Sequence, residues 1–294
     1  MSSGKVQGNA SGTGIFTVAA PATNTDRTLT LPDATGTVAT TTDLSSLNAS
    51  NLTSGTVGTA RLATGTANST TYLRGDQTWA TVTSLPGAQA QVFTGNGTFT
   101  IPAGITAVKV TVVGGGGGGG GAQGACGFSY GSMGGGAGTA ISFLTGLTPG
   151  NTISVTVGGG GSAGSGSSNN AGTGGNSSIA SGTQTITTVT ANGGGPGQFS
   201  SASIVSGGSG GTASNGSLNF NGQNGGPGGS TDNTVGYGGS SMFGLGGVRT
   251  LATTANRAGV NGTGYGAAGS GGFANGGASQ NGGAGTAGVV IFEW

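Results

Sequence analysis

The sequence predicts an all-β protein, and three observations carry that reading. Apolar residues fall in short β-branched blocks that alternate with polar ones. The Ala/Leu/Glu/Lys periodicity of helices is missing. Glycine, 73 of 294 residues, recurs too often for any helix longer than a turn or two. In AVKVTVV (107–113), Val108, Val110 and Val112 alternate with Lys109 and Thr111, the period-two pattern of a strand with one buried face. Ile153, Val155 and Val157 alternate with Ser154 and Thr156 in the same way. Further blocks predict strands over Thr98–Ile101, Thr139–Leu144, Thr183–Ala191 and Val289–Phe292.

The segments ahead of these blocks read differently. IFTVAAPATNTDRTLTLPDATGTVAT (15–40) is two short strand candidates joined by a polar turn, with Pro21 and Pro32 restricting their extension. Residues 41–88 are rich in Ser, Thr, Ala and Gly, with too few aliphatics to bury a core in one chain. Small cores commonly need oligomerisation, so an intertwined homo-oligomer is expected there. Three regions follow: an N-terminal part with the short strand candidates (1–44), a Ser/Thr/Gly-rich segment and linker (45–88), and a glycine-rich domain (89–294).

Composition changes abruptly after Val113, because residues 114–294 hold 60 of the 73 glycines. Neither the strict three-residue period nor the proline content of collagen is present. Instead VTVVGGGGGGGG (110–121) and VTVGGGG (155–161) run a buried-face strand straight into polyglycine, and later segments such as GGSGGT (207–212) repeat glycine pairs plus one other residue. A polyproline-II-type helix has three residues per turn, so a G-G-X triplet has two bare faces and one side-chain face. Bare faces let neighbouring chains approach until their backbones pair. Ordering a residue costs about 1–2 kcal/mol, whereas a hydrogen bond returns a net of about 0.5–1.5 kcal/mol. Glycine rods therefore need anchored ends, and a strand that runs into polyglycine supplies them. The expected domain is a small β-sandwich with packed glycine-rich rods projecting from one end.

Charge and chemistry exclude much else. Seven Lys and Arg against six Asp and Glu cannot neutralise a run of phosphates, so nucleic acid and anionic membranes are not expected partners. With no histidine, one cysteine (Cys126) and one glutamate (Glu293), zinc sites, His-based triads and an intrachain disulfide have no residues to form them. No metal, cofactor or enzymatic activity is expected. The longest apolar runs, such as Val110–Val113, are far short of the roughly 18–20 residues of a membrane span. The N-terminal MSSGKVQGNASG lacks the apolar stretch of a secretory signal, which points to synthesis in a cytosol.

NLTSGTVGTARLATGTANSTTYLRGDQTWATV (51–82) resembles a segment that recurs in bacteriophage tail fibres, and the upstream AAPATNTDRTLTLPDATGTV is similar to the repeat-type segment often found ahead of it. TFTIPAGITAVKVTVVGGGGGGGG and the terminal GGAGTAGVVIFEW resemble the opening and closing strands of the glycine-rich domain placed at fibre tips. The stretch between them, 122–275, is similar in composition alone. The resemblance implies a homotrimeric virion protein, made in the host cytoplasm and released by lysis. Its N-terminal part would join other tail or baseplate proteins, and its distal part would adhere to a host surface receptor. A tailspike-like glycan-degrading enzyme and a glycine-rich cell-wall or matrix protein are the alternatives.

In so uncharged a domain the large side chains between glycines are the contact candidates. They are Phe128, Tyr130, Met133, Phe199, Phe220, Tyr237, Met242, Phe243, Tyr265 and Phe273, with Leu245 beside them. Rigid aromatics among Ser, Gly and Asn combine contact area with adaptable hydrogen bonding. Any one of them could equally be buried core. Cys126 reads as a small buried hydrophobe. Arg74 and Asp76 in LRGDQTW read as a turn with a local ion pair near Trp79. Asp232 with Asn233 is too few oxygens for a calcium cage. Glu293 is expected to pair with Lys109, Arg249 or Arg257. A catalytic carboxylate pair would have to use Asp232 and Glu293, the only acids after residue 76.

Overall fold

The computed structural model describes residues 11–12, 25, 58–69, 71–81, 89–124, 127–167, 171–199, 204–228, 236–249 and 256–294. The strands expected within 15–40, residues 41–57 of the segment at 41–88, and Cys126, Asp232 and Asn233 lie outside these residues. The chain divides into two compact units, 1–62 and 63–294. In the first, a 3-10 turn spans Thr59–Arg61 among the described residues. The second begins with an antiparallel hairpin, β1 (Thr71–Leu73) and β2 (Trp79–Thr81).

The glycine-rich part is all-β, and its strands pair antiparallel. In chain order they are β3 (Ala90–Phe93), β4 (Gly97–Thr100), β5 (Ala107–Val113), β6 (Phe128–Tyr130), β7 (Thr139–Thr145), β8 (Thr152–Thr156), β9 (Ser177–Ser181), β10 (Val189–Ala191), β11 (Ala213–Ser214) and β12 (Leu218–Phe220). The two-residue strands β13 (Gly236–Tyr237), β14 (Gly244–Leu245), β15 (Val248–Arg249) and β16 (Thr263–Gly264) follow, then β17 (Phe273–Asn275) and β18 (Val289–Glu293). Two five-stranded sheets form a sandwich, one ordered β11-β10-β9-β8-β4 and the other β12-β7-β5-β18-β3. Its core is the alternating set read from the sequence: Val108, Val110 and Val112 of β5 face Ile153 and Val155 of β8, with Ile179, Val189, Val290 and Phe292. Phe99 stacks on Phe292 at the centre, ring centroids 4.0 Å apart.

Two strands depart from expectation. The block Thr183–Ala191 is a strand only over Val189–Ala191, because the Ser181 hydroxyl exchanges hydrogen bonds of 3.0 Å with the backbone of Ile186 and holds 182–188 as a loop. Its antiparallel partner, SSIAS (177–181), carries a single inward aliphatic, Ile179, and so gave no alternation to read.

The glycine runs are ordered rods that leave the sandwich at one end. Gly114–Gly121 continues β5, and all eight residues are buried. Six other segments surround it, each met once every three residues. Its N–H groups donate in turn to Gly138, Gly175, Thr286, Gly135, Gly172, Gly283 and Ser132, so three of the neighbours run antiparallel to it. Its carbonyls accept from Gly194, Gly161, Gly269, Gly197, Gly164 and Gly272, on three neighbours that run parallel. These bonds measure 2.8–3.2 Å. The segment 131–138, which leads into β7, is enclosed in the same manner and is also wholly buried.

Close approach is what requires glycine here. A Cβ on any of Gly115–Gly121 would fall closer than 3.0 Å to a backbone carbonyl of a neighbouring rod, and none of these glycines has a left-handed φ. Outer rods carry their side chains at the third position: in GGSGGT, Gly208 and Gly211 are buried while Ser209 and Thr212 are exposed. Gly159, although in a rod, faces open space. Gly118→Ala should therefore lower the unfolding free energy by about 3 kcal/mol, the upper end of overpacking costs. Gly159→Ala should be neutral or slightly stabilising, because alanine restricts the unfolded chain. Denaturant unfolding of the two variants checks this pair.

Candidate functional site

The sandwich has a polarity that sorts the candidate residues. At the end away from the rods, Gln89 and Trp294 exchange backbone hydrogen bonds of 3.2 and 3.1 Å. At the other end the rods run out, by about 25 Å for eight residues, to a cap made by β6 and β17. There Tyr130 pairs with Phe273 and Phe128 with Asn275 across the strands.

The cap holds a graded aromatic stack. Phe128 lies over Phe273 with centroids 6.3 Å apart, Phe273 over Tyr130 at 4.6 Å, and the Arg249 guanidinium carbon sits 5.1 Å from the Tyr130 ring centre. Phe128 is 46% exposed, whereas Phe273, Tyr130 and Arg249 are buried. Arg249 is placed by the β13–β15 pair, opposite Gly236, and its Nη1 donates to the Gly131 carbonyl at 3.4 Å. Burial pushes the guanidinium below its usual range, opposed by Tyr130, yet an arginine stays charged in proteins. Met133 lies between the rods, with its sulfur accepting the Gly271 N–H at 2.9 Å and its methyl filling the space where Gly236 has no side chain.

The ten contact candidates therefore divide. Met133 and Phe273 are interior residues, at 0% and 1% exposure, and Tyr130 is buried with them. Phe128, the half-buried Phe199 and the exposed Tyr237 belong to the far half of the rods. Met242, Phe243 and Tyr265 do not: Tyr265 donates to the Phe243 carbonyl, and the neighbouring Gly266 touches Val113 at the sandwich end of the rods. Ser241–Leu245 with Thr263 and Gly264 line an open recess there of about 430 Å³. Phe220 ends β12 on the edge of a sheet. Sequence reasoning missed Arg249 as a packing residue and Ile204 as a surface one. An arginine on its own in a nearly charge-free stretch was the available signal for the first. Nothing marked Ile204, exposed next to the Val205–Gly228 bridge.

A profile of the glycine-rich domain family matches residues 91–294. The chain belongs to that family. A search of curated proteins found no match. The family match covers the sandwich and rods together and says nothing of a ligand.

The remaining polar candidates occupy other places. Lys109 Nζ and Glu293 Oε2 are 2.9 Å apart on the outer face of the β5–β18 pair, away from the rods, so Glu293 takes the first of its three expected partners. Arg257 is exposed. Among the described residues no group of three His, Cys, Asp or Glu could hold a metal, and no helix is long and apolar enough to cross a membrane. In the β1–β2 hairpin, Arg74 lies 3.6 Å from Asp76 as expected. The Thr78 hydroxyl, 2.6 Å from Asp76 Oδ1, is the main cause that holds this carboxyl below the usual aspartate range.

Two outcomes follow. Arg249→Ala should cost about 2 kcal/mol, the loss of a hydrogen bond from a charged donor and of its contact with the ring, and should weaken the near-ultraviolet circular dichroism of Tyr130. A depressed folded pKa means that the Asp76 contribution is complete above the unfolded value and is lost as pH falls through the folded one. The Thr78 amide resonance should accordingly titrate with a midpoint below that of an ordinary aspartate, and Asp76→Asn should abolish the titration.

Proposed function

We propose that the chain is a bacteriophage tail-fibre protein, a homotrimer in the virion, whose glycine-rich domain adheres without catalysis to a host-surface glycan or envelope component. The observation that carries this reading is the polarity of the domain. The chain comes in from residue 89 beside Trp294 at one end, and the rods hold Phe128, Phe199 and Tyr237 at the other. A bundle cross-bonded on six sides is a stiff stalk for such contacts, and little ordering remains to oppose binding. The resemblance of residues 51–82 to fibre segments supplies the virion context, with attachment to tail or baseplate proteins through the N-terminal part. An exposed aromatic over a buried stack suits the face of a sugar ring. Binding is weak per contact and is strengthened by copies on one fibre and fibres on one particle.

The test is capture of the full-length protein by host cells and by fractionated envelope. Phe128→Ser and Tyr237→Ser should each reduce capture about tenfold, as interface anchors do, while Ser154→Ala, on the hydroxyl-rich sheet of the sandwich, leaves it unchanged. Raising salt from about 50 to 200 mM should change capture less than twofold, because screening acts on charges the domain scarcely carries. Loss of capture in salt, or release of oligosaccharides from the envelope, would overturn the reading.

A further inference from the structure

The two sheets of the sandwich present unlike outer faces. On β4, β8, β9 and β10 the outward residues are Thr98, Thr100, Ser154, Thr156, Ser178 and Thr190, with Ala180 the small apolar exception, as suits a sheet in water. On the other sheet one cross-strand row reads Val92, Ile291, Thr111, Ile141 and Leu218 from edge to edge, and Phe143 stands in the next row beside Lys109. Val92, Phe143 and Leu218 are 54%, 58% and 50% exposed. The apolar surface does not stop at the sheet. Ile291 packs on Val289, Val113 and Ala137, and Gly266 closes over that cluster from the 263–266 segment, with which the loop carrying Met242, Phe243 and Leu245 pairs.

We infer that this face is the contact between copies of the chain, turned inward on the axis of the homotrimer proposed above, on which the inference rests. Three features select a second copy as the occupant. The face is electrically self-compatible, since its one cation and one anion already pair and identical surfaces do not repel. Its five strands, about 4.8 Å apart and three to seven residues long, cover roughly 400 Å². The exposed Met242, Phe243 and Leu245 extend it toward the roughly 800 Å² per partner of a standard interface. The face also starts at the end where residue 89 joins the sandwich, so copies held together upstream meet it at high effective concentration.

The test uses the full chain and does not involve a host. Native mass spectrometry should show trimers, and hydroxyl-radical footprinting should find Phe143 protected while Tyr237 reacts. Val92→Lys with Leu218→Lys should expose Phe143 to the radical and weaken association at least tenfold. Ser154→Lys with Thr190→Lys, on the Ser/Thr face, should change neither. Trimers in which Phe143 reacts as fast as Tyr237 would overturn the assignment of the face and leave the homotrimer standing. A chain that stays monomeric at every concentration would overturn both.

Discussion

Everything distal to the sandwich depends on one constraint, the distance at which two bare backbones can approach. In a three-residue helix with no internal hydrogen bonds, each N–H and C=O must find a partner on another rod. Around Gly114–Gly121 they do so on six neighbours, and the three parallel neighbours lie where a Cβ would have to be. Glycine is therefore the building unit of this part and not a spacer. Such rods lack an apolar core and could not order themselves alone, given what each fixed residue costs. The sandwich overcomes this by delivering their ends already in register, so that the Gly114–Gly138 bond extends the β5–β7 ladder without a break.

That solution dictates the surface. Side chains can occur only on the outside of the bundle, at its cap, or where a neighbouring glycine leaves room, as Gly236 does for Met133. Among the described residues charge is excluded from the interior, with one exception: Arg249 is accepted because Tyr130 and the Gly131 carbonyl receive it. What remains for recognition is a few exposed aromatics and a hydroxyl-rich backbone surface. The function proposed for the domain uses those groups because the architecture leaves few others.

The sandwich core was legible because alternation in AVKVTVV and NTISVTV maps directly onto inward and outward faces. The rods were legible because polyglycine follows those strands and G-G-X repeats carry a period of three. Ser177–Ser181 was not legible, since a strand with one inward aliphatic looks like a loop. For the candidate site, the sequence named the large side chains between glycines but not their positions: Met133 and Phe273 are interior, Phe220 is on a sheet edge, and Met242 and Phe243 are near the sandwich.

The amino-acid sequence alone determined the all-β class, the anchored glycine rods and the near absence of charge, because these follow from local periodicity and composition. Only the tertiary structure decided which rod is central, which aromatics are exposed and where Arg249 lies. Those outcomes depend on how six segments, some more than a hundred residues apart, settle around Gly114–Gly121, and a three-residue period in one segment carries no information about which neighbour it will meet.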